Sequence, residues 1–281
     1  MTRALFLFPF LRSVAAAQAP QPIGTLVDLG GYRVHLYCTG EGSPTVMVAG
    51  GFSVDWDLVQ PQVAKFTRIC TYDVSGTAWS DPGPASSCAQ RVTEIHKLLN
   101  TAGIPAPYVF VGFSVGGLVS RFYASQYPKD VSGLVLVDHA FTPLARGGPT
   151  SPTSSGASAP VLIFQTPITF TAEETSDFKK LPERMQELHR WAAARIPGVD
   201  HAQTADDCVV QLRTSGLLGK MPLVVISTGN QAPGYKELQA DLLSLSSRSQ
   251  QMKAERSFHS VEIDQPDVVI EAIRRVVNQV R

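Results

Sequence analysis

Val109-Phe110-Val111-Gly112-Phe113-Ser114-Val115-Gly116-Gly117-Leu118 is the stretch that decides how this chain is read. An apolar, β-branched run ends in Gly-x-Ser-x-Gly, and a helix-compatible stretch follows it. A serine between a strand and a helix sits on a sharp turn, in a strained backbone conformation with its hydroxyl turned outward. Gly112 and Gly116 suit such a turn, because a Cβ at either position would meet the neighbouring backbone. The amide of Val115 opens the helix, where unpaired N–H groups and the helix dipole favour an anion. One spacing therefore supplies a candidate nucleophile, Ser114, and half of a site for a developing oxyanion.

Upstream, residues 25–29 and 32–37 read as a hairpin around Gly30-Gly31, and 45–49 as a buried strand ending at Gly50-Gly51. Residues 66–72 form another strand candidate, and a helical pattern runs from about Ala89 to residue 99. Downstream, 118–127 read as a helix stopped by Pro128, and 133–137 as a buried strand ending at Asp138. Further strands are expected over 223–227 and 252–256, with a helix over 235–245. Residues 266–281 form an amphipathic helix with Val268, Val269, Ala272, Ile273, Val276 and Val277 on one stripe.

Apolar strands alternating with helices imply an α/β fold, a mostly parallel sheet flanked by helices on both faces, with an antiparallel edge. Residues from about 140 to 219 interrupt that alternation. They hold a Ser/Thr/Gly/Pro-rich stretch, 142–160, an apolar stretch, 161–170, and a charged helix-compatible stretch, 171–195, with Thr171 as its N-cap. The segment reads as a lid or cap inserted into one domain that spans 20–281.

The chain has 281 residues, enough for one large domain. Lys and Arg number 24 and Asp and Glu 24, so the net charge is zero. That excludes the basic excess on which nucleic-acid binding rests. With 44% hydrophobic and 17% charged residues, the chain can build a core and does not have a disordered composition. No run reaches the roughly 18 apolar residues that span a bilayer, so no integral membrane segment is expected. Residues 1–19 read as a signal peptide: Arg3, the apolar run 4–11, then Ala15 and Ala17 before a cut preceding Gln18. The expected location is secreted or periplasmic, with a frayed tail on a cytoplasmic protein as the alternative. Cys38, Cys70, Cys88 and Cys208 form an even set that can oxidise after export, in any of three pairings, or stay as buried thiols. There is no Cys-x-x-Cys pair, which argues against a zinc knuckle or a thioredoxin-type site.

A serine hydroxyl needs a base. Of six histidines, His35, His96 and His189 lie within expected strands or helices, and His201 sits in the polar middle segment. His139 follows Asp138 and is expected to line the pocket. His259 lies between the last strand and the terminal helix, in a loop that opens at the carboxyl edge of the sheet, where ligands bind and where Ser114 also sits. His259 is therefore the expected base. Asp138 ends a strand on the same edge and is the expected acid, giving the order Ser, Asp, His. After strand 223–227 the chain reads Thr228-Gly229-Asn230-Gln231, without a carboxylate, which leaves Glu237 and Asp241 as reserves.

These residues resemble the α/β-hydrolase superfamily, specifically its serine-nucleophile, esterase-like branch. The resemblance rests on Gly112–Gly117 for the elbow and on Gly50-Gly51-Phe52 with Trp56 for the oxyanion loop. It also rests on Tyr72-Asp73…Gly76…Trp79-Ser80-Asp81, and on Phe258-His259-Ser260…Asp264-Gln265-Pro266 for the histidine loop. It implies a hydrolase without metal or organic cofactor. Serine at the elbow, in place of aspartate, argues against the dehalogenase and epoxide-hydrolase relatives. Three positions depart from the pattern: Ala49-Gly50 replaces His-Gly, Val74 replaces an arginine, and Ala78 replaces a glycine. The first leaves Gly51 or Phe52 as the second oxyanion donor beside Val115, with Gly51 favoured.

The expectation is a serine hydrolase cleaving carboxylic esters of a small-molecule acyl substrate through Ser114, His259 and Asp138. Phe52, Phe113 and His139 are the expected pocket residues; Trp56 and Trp79 belong either there or in the core. The same trio could act on lactones or on amides and peptides, or as a perhydrolase, and a non-catalytic binding protein on the same fold is the further alternative. For the export reading, mass spectrometry of the protein expressed in an exporting host should find Gln18 at the amino terminus. An intact Met1 would contradict it.

Overall fold

The six residues from Tyr108 to Phe113 form a strand in which every residue is buried. Side chains alternate between faces along a strand. Val109, Val111 and Phe113 accordingly join one apolar cluster, while Tyr108 and Phe110 join another. A strand that is apolar on both sides needs cover on both sides.

The computed structural model describes residues 19–84, 87–139, 176–195, 201–213, 215–229 and 235–281. The strands are β1 (Thr25–Asp28), β2 (Arg33–Thr39), β3 (Thr45–Ala49), β4 (Ile69–Tyr72), β5 (Tyr108–Phe113), β6 (Val131–Val137), β7 (Leu223–Thr228) and β8 (Ser249–Ala254). The α-helices are α1 (Gln60–Val63), α2 (Cys88–Thr101), α3 (Val115–Gln126), α4 (Glu183–Ala193), α5 (His201–Leu212), α6 (Tyr235–Leu243), α7 (Val261–Asp264) and α8 (Pro266–Val280). The sheet runs β1-β2-β4-β3-β5-β6-β7-β8. β2 is antiparallel to both β1 and β4, and every other pair is parallel. The expected α/β architecture with an antiparallel edge is the one found.

Each face of the sheet has its own cover. Val92, Ile95, Leu98 and Leu99 of α2 pack on one face with Leu118, Phe122 and Tyr123 of α3. Val269, Ala272, Ile273, Val276 and Val277 of α8 pack on the other. At about 25 cal/mol per Å² of apolar surface removed from water, these stripes are the main stabilising term for the layered arrangement. Among the described residues no helix is long and apolar enough to cross a membrane.

Several boundaries differ from the sequence reading, each for a local reason. α3 starts at Val115 rather than 118, because Val-Gly-Gly has low helix propensity and hides the first turn. β4 starts at Ile69, since the amides of Phe66 and Thr67 bond back to the Val63 carbonyl at the end of α1. β8 covers 249–254 rather than 252–256: it is an edge strand with a mostly exposed polar pattern, so no apolar run marks its start. The largest difference is α5, which lies inside the segment read as a cap over 140–219. It buries Thr204, Ala205, Cys208, Val209 and Leu212, a stripe of mostly small residues that looks polar in sequence. The last four join the cluster of α2 and α3, so α5 is part of the body of the domain. The 142–160 and 161–170 stretches and the Thr171 cap lie outside the described residues, as do residues 1–18.

All four cysteines are paired, Cys38 with Cys70 and Cys88 with Cys208. The first joins facing residues of β2 and β4. The second joins the first turn of α2 to α5 across 120 residues of sequence, and the Asp207 carboxylate accepts the Cys88 amide at 2.8 Å beside it. Cross-links that close long loops restrict the unfolded chain most. Replacing Cys88 and Cys208 together by serine should lower the unfolding free energy by about 2–5 kcal/mol in urea titrations. A loss below about 1 kcal/mol would contradict this account of the cross-link.

Candidate active site

Ser114 joins β5 to α3 at φ 52° and ψ −126°, a conformation that L-residues rarely adopt. Its amide donates to the Val137 carbonyl at 3.1 Å, and its carbonyl accepts the Gly117 amide at 3.0 Å. The turn passes very close to its neighbours. A Cβ on Gly116 would stand 2.0 Å from the Ala49 carbonyl oxygen, and one on Gly112 2.5 Å from the Gly117 Cα. Only glycine fits either place.

Asp138 follows β6 at φ 41°. Its amide donates to the Ile226 carbonyl at 2.9 Å. The Thr228 hydroxyl donates to Oδ1 at 3.3 Å. The other oxygen, Oδ2, lies 2.7 Å from His259 Nδ1. A carboxylate only accepts, so Nδ1 carries a proton, and in the neutral ring the lone pair is on Nε2. The Asp138 side chain is 6% exposed and that of His259 46%, so the pair is sealed at its acidic end and open at its basic end. The His259 ring packs against Phe113, next in sequence to Ser114, with centroids 4.8 Å apart. Among the described residues no hydrogen bond joins Ser114 Oγ to His259; such contacts commonly tighten only when substrate is present.

Asp264 holds the histidine loop. Its Oδ2 accepts the Phe258 amide at 2.9 Å and the Ser176 hydroxyl at 2.9 Å. Its Oδ1 accepts the Asp177 amide at 3.1 Å, and Ser176 Oγ in turn accepts the Ser260 amide at 2.9 Å. One carboxylate thus ties the loop to the segment leading into α4. The sequence reading included Asp264 in the loop but assigned it no task, because two of its partners, Asp177 and Ser176, are 87 and 88 residues away.

Of the two candidate donors after β3, the Phe52 amide is already engaged by Asp55 Oδ2 at 3.0 Å. Gly51, at φ 72°, is the remaining one. Trp56 Nε1 donates to the Gly50 carbonyl at 3.0 Å and steadies this loop. The other Asp55 oxygen lies 2.7 Å from His189 Nδ1 on α4, which carries the loop's position into the segment above it. Trp56 and Trp79 are buried in core clusters. Ala78 adopts φ 42°, which explains why glycine suits that position.

A cavity of about 290 Å³ opens at Ser114. Gly51, Phe52, Phe113 and Val115 line it, together with Tyr72 and Arg91. His259 and Asp138 lie outside that lining. So does His139, which the sequence reading put in the pocket. It is fully buried beneath the elbow, where a Cβ on Gly117 would stand 2.4 Å from its Cγ. Arg121 Nη1 lies 3.4 Å from His139 Nε2, and His139 Nδ1 lies 3.0 Å from the Ser114 carbonyl oxygen. A guanidinium only donates, so Nε2 accepts and Nδ1–H donates to the carbonyl. Burial lowers the Arg121 pKa to about 10. His139 therefore braces the turn from behind. Of the reserve acids, Asp241 is exposed on α6, and the Glu237 side chain lies outside the described residues. Among the described residues no group of three or more His, Cys, Asp or Glu is placed to hold a metal ion.

A family model described as alpha/beta hydrolase fold matches residues 44–185. The uncharacterised protein YqjL of Bacillus subtilis is 25% identical over 244 residues, 83% of each chain. Monoacylglycerol lipase abhd6-A of Xenopus laevis is 31% identical over 127 residues, 41% of this chain and 37% of that one. Among solved structures, Cfl2 from Burkholderia cenocepacia superposes with a TM-score of 0.69 at 17% identity, covering 90% of this chain and 94% of its own. The matched residues run from just before β3 through the Ser114 turn and β6 into α4, which is the half of the chain that shapes the cavity. On that match the protein belongs to the alpha/beta hydrolase fold family.

Proposed function

We propose that this protein is a serine hydrolase that cleaves carboxylic esters, with Ser114 as nucleophile, His259 as base and Asp138 as its orienting acid. The observation that supports this most is the 2.7 Å contact between Asp138 and His259 Nδ1. It leaves Nε2 free to take a proton, on a loop that opens at the same edge of the sheet as the Ser114 turn.

Ser114 Oγ attacks the acyl carbon while His259 Nε2 takes its proton. The carbonyl oxygen becomes an anion and receives the amides of Gly51 and Val115; losing one such donor typically costs about 2.7–4 kcal/mol of barrier. His259 then protonates the departing alcohol, which leaves an acyl-enzyme on Ser114. Water, deprotonated by the same imidazole, attacks the acyl carbon and releases the acid. Asp138 keeps the imidazole in the required tautomer and stabilises its cationic form. The partial relative named as a monoacylglycerol lipase supports an ester as the substrate class. The two disulfides support a secreted or periplasmic location, since such bonds persist in oxidising compartments. Residues 20–281 are proposed as a single domain, with α5 in its body rather than in a cap.

On a short-chain aryl ester, Ser114→Ala should lower kcat by about 10⁴- to 10⁶-fold, and Asp138→Asn by about 10⁴-fold, with the fold kept by circular dichroism. Turnover by Ser114→Ala equal to the parent enzyme would overturn the reading.

A further inference from the structure

Arg91 is an unusual wall for an ester pocket. It sits in the first turn of α2, is 4% exposed, and lines the same cavity as Ser114 and Gly51. Among the described residues its Nε and Nη2 have no hydrogen-bond partner. Buried guanidinium groups normally have carboxylate or carbonyl partners, because an unpaired buried charge is strongly unfavourable. Glu94, the nearest acid in sequence, acts on Arg91 through its charge, but among the described residues no hydrogen bond joins the two. Glu94 Oε1 accepts the Ser75 amide at 3.2 Å, and its Oε2 is likewise without a hydrogen-bond partner. Burial, above all, raises the Glu94 pKa, and the Arg91 charge and the Ser75 bonds hold it back in part. Tyr72, also in the wall, is raised by burial and stays a neutral phenol. The cavity thus pairs the Ser114 hydroxyl at one place with a buried guanidinium at another, two of whose nitrogens make no hydrogen bond among the described residues.

We propose that this cavity takes the acyl part of the substrate and that Arg91 binds a carboxylate carried on that part, so that the enzyme prefers half-esters of short dicarboxylic acids. The choice of the acyl side rests on the ester-hydrolase reading above. The leaving alcohol must lie within reach of His259, which protonates it, and His259 is not part of this cavity's lining. The acyl chain therefore extends away from His259, toward the wall that holds Arg91. The carboxylate is favoured because a planar guanidinium matches it with two parallel N–H···O bonds, the way Arg33 grips Asp81 through Nε and Nη2 at 2.8 and 3.1 Å. At about 290 Å³ the cavity is at the small end of ligand pockets, which suits a short chain. The cation also offsets the repulsion that a second negative charge would otherwise exert on the forming oxyanion.

The test separates binding from turnover. In a Ser114→Ala background, calorimetry compares monomethyl glutarate with methyl hexanoate, a neutral ester of similar length. The half-ester should bind about 10- to 100-fold more tightly. Adding Arg91→Met should bring the ratio close to one, and Arg91→Lys, which keeps the charge but not the fork, should leave an intermediate ratio. Equal binding of the two esters with Arg91 in place, or a preference unaffected by both Arg91 variants, overturns the proposal. Turnover of both esters by the parent enzyme, followed by acid release, reads the hydrolase assignment separately. Turnover without the binding preference removes the anion site alone; preference without turnover removes the ester-cleavage reading and the acyl-side assignment that rests on it, and leaves Arg91 as a carboxylate site.

Discussion

The tightest constraint in this molecule is the approach of the first turn of α3 to the end of β3. Gly116 meets the Ala49 carbonyl at a distance where no Cβ fits, and Gly112 meets Gly117 in the same way. That approach forces Ser114 into positive φ and aims the first amides of α3 at the space beside β3, where Gly51 also lies. Strain of this kind persists only where the surroundings over-determine it. Here the surroundings are the Val137 and Gly117 bonds to Ser114 and the His139 ring wedged beneath it. The exposed turn at Ser114, the amides of the proposed oxyanion site and the cavity beside them all follow from this packing.

Around His259 the electrostatics are unusually acidic. Asp138, Asp55, Asp264 and Glu262 all lie near this loop, and three of them have assigned protons or donors to accept. Glu262 differs: it is fully buried, and burial together with Asp55, Asp264 and Asp138 pushes its pKa well up. The upward shift works against a second negative charge beside Asp138. The same desolvation acts on the other side of the sheet edge, where Arg91 and Glu94 are buried close to the cavity. Burial thus disfavours the charged form of Glu262 on one side and of Arg91 on the other, where Glu94 offsets it only in part.

What the sequence made legible was periodic or local. Residues 109–118 carry their own context, an apolar strand, a Gly-x-Ser-x-Gly turn and a helix. The alternation of strands and helices then puts strand ends on one edge, which is how Asp138 and His259 could be singled out although 121 residues separate them. Residues whose meaning depends on distant partners were not legible. His139 is adjacent to Asp138 in sequence but points beneath the turn, because the space there is what Gly117 leaves empty. α5 was hidden by its small buried residues, and its cross-link to α2 could not be told from the other two pairings. Arg91 gave no signal at all: on a helix pattern it looks like a solvated charge, and only its burial beside the cavity shows otherwise.

The central claim is that one hydroxyl, Ser114 Oγ, is activated by His259. Treating the folded protein with a fluorophosphonate and locating the adduct by peptide mass spectrometry tests it most directly. The account predicts a single phosphonyl adduct on the peptide containing Ser114, formed far more slowly in His259→Ala. Absence of the adduct from the folded protein, or labelling that does not depend on His259, would contradict it.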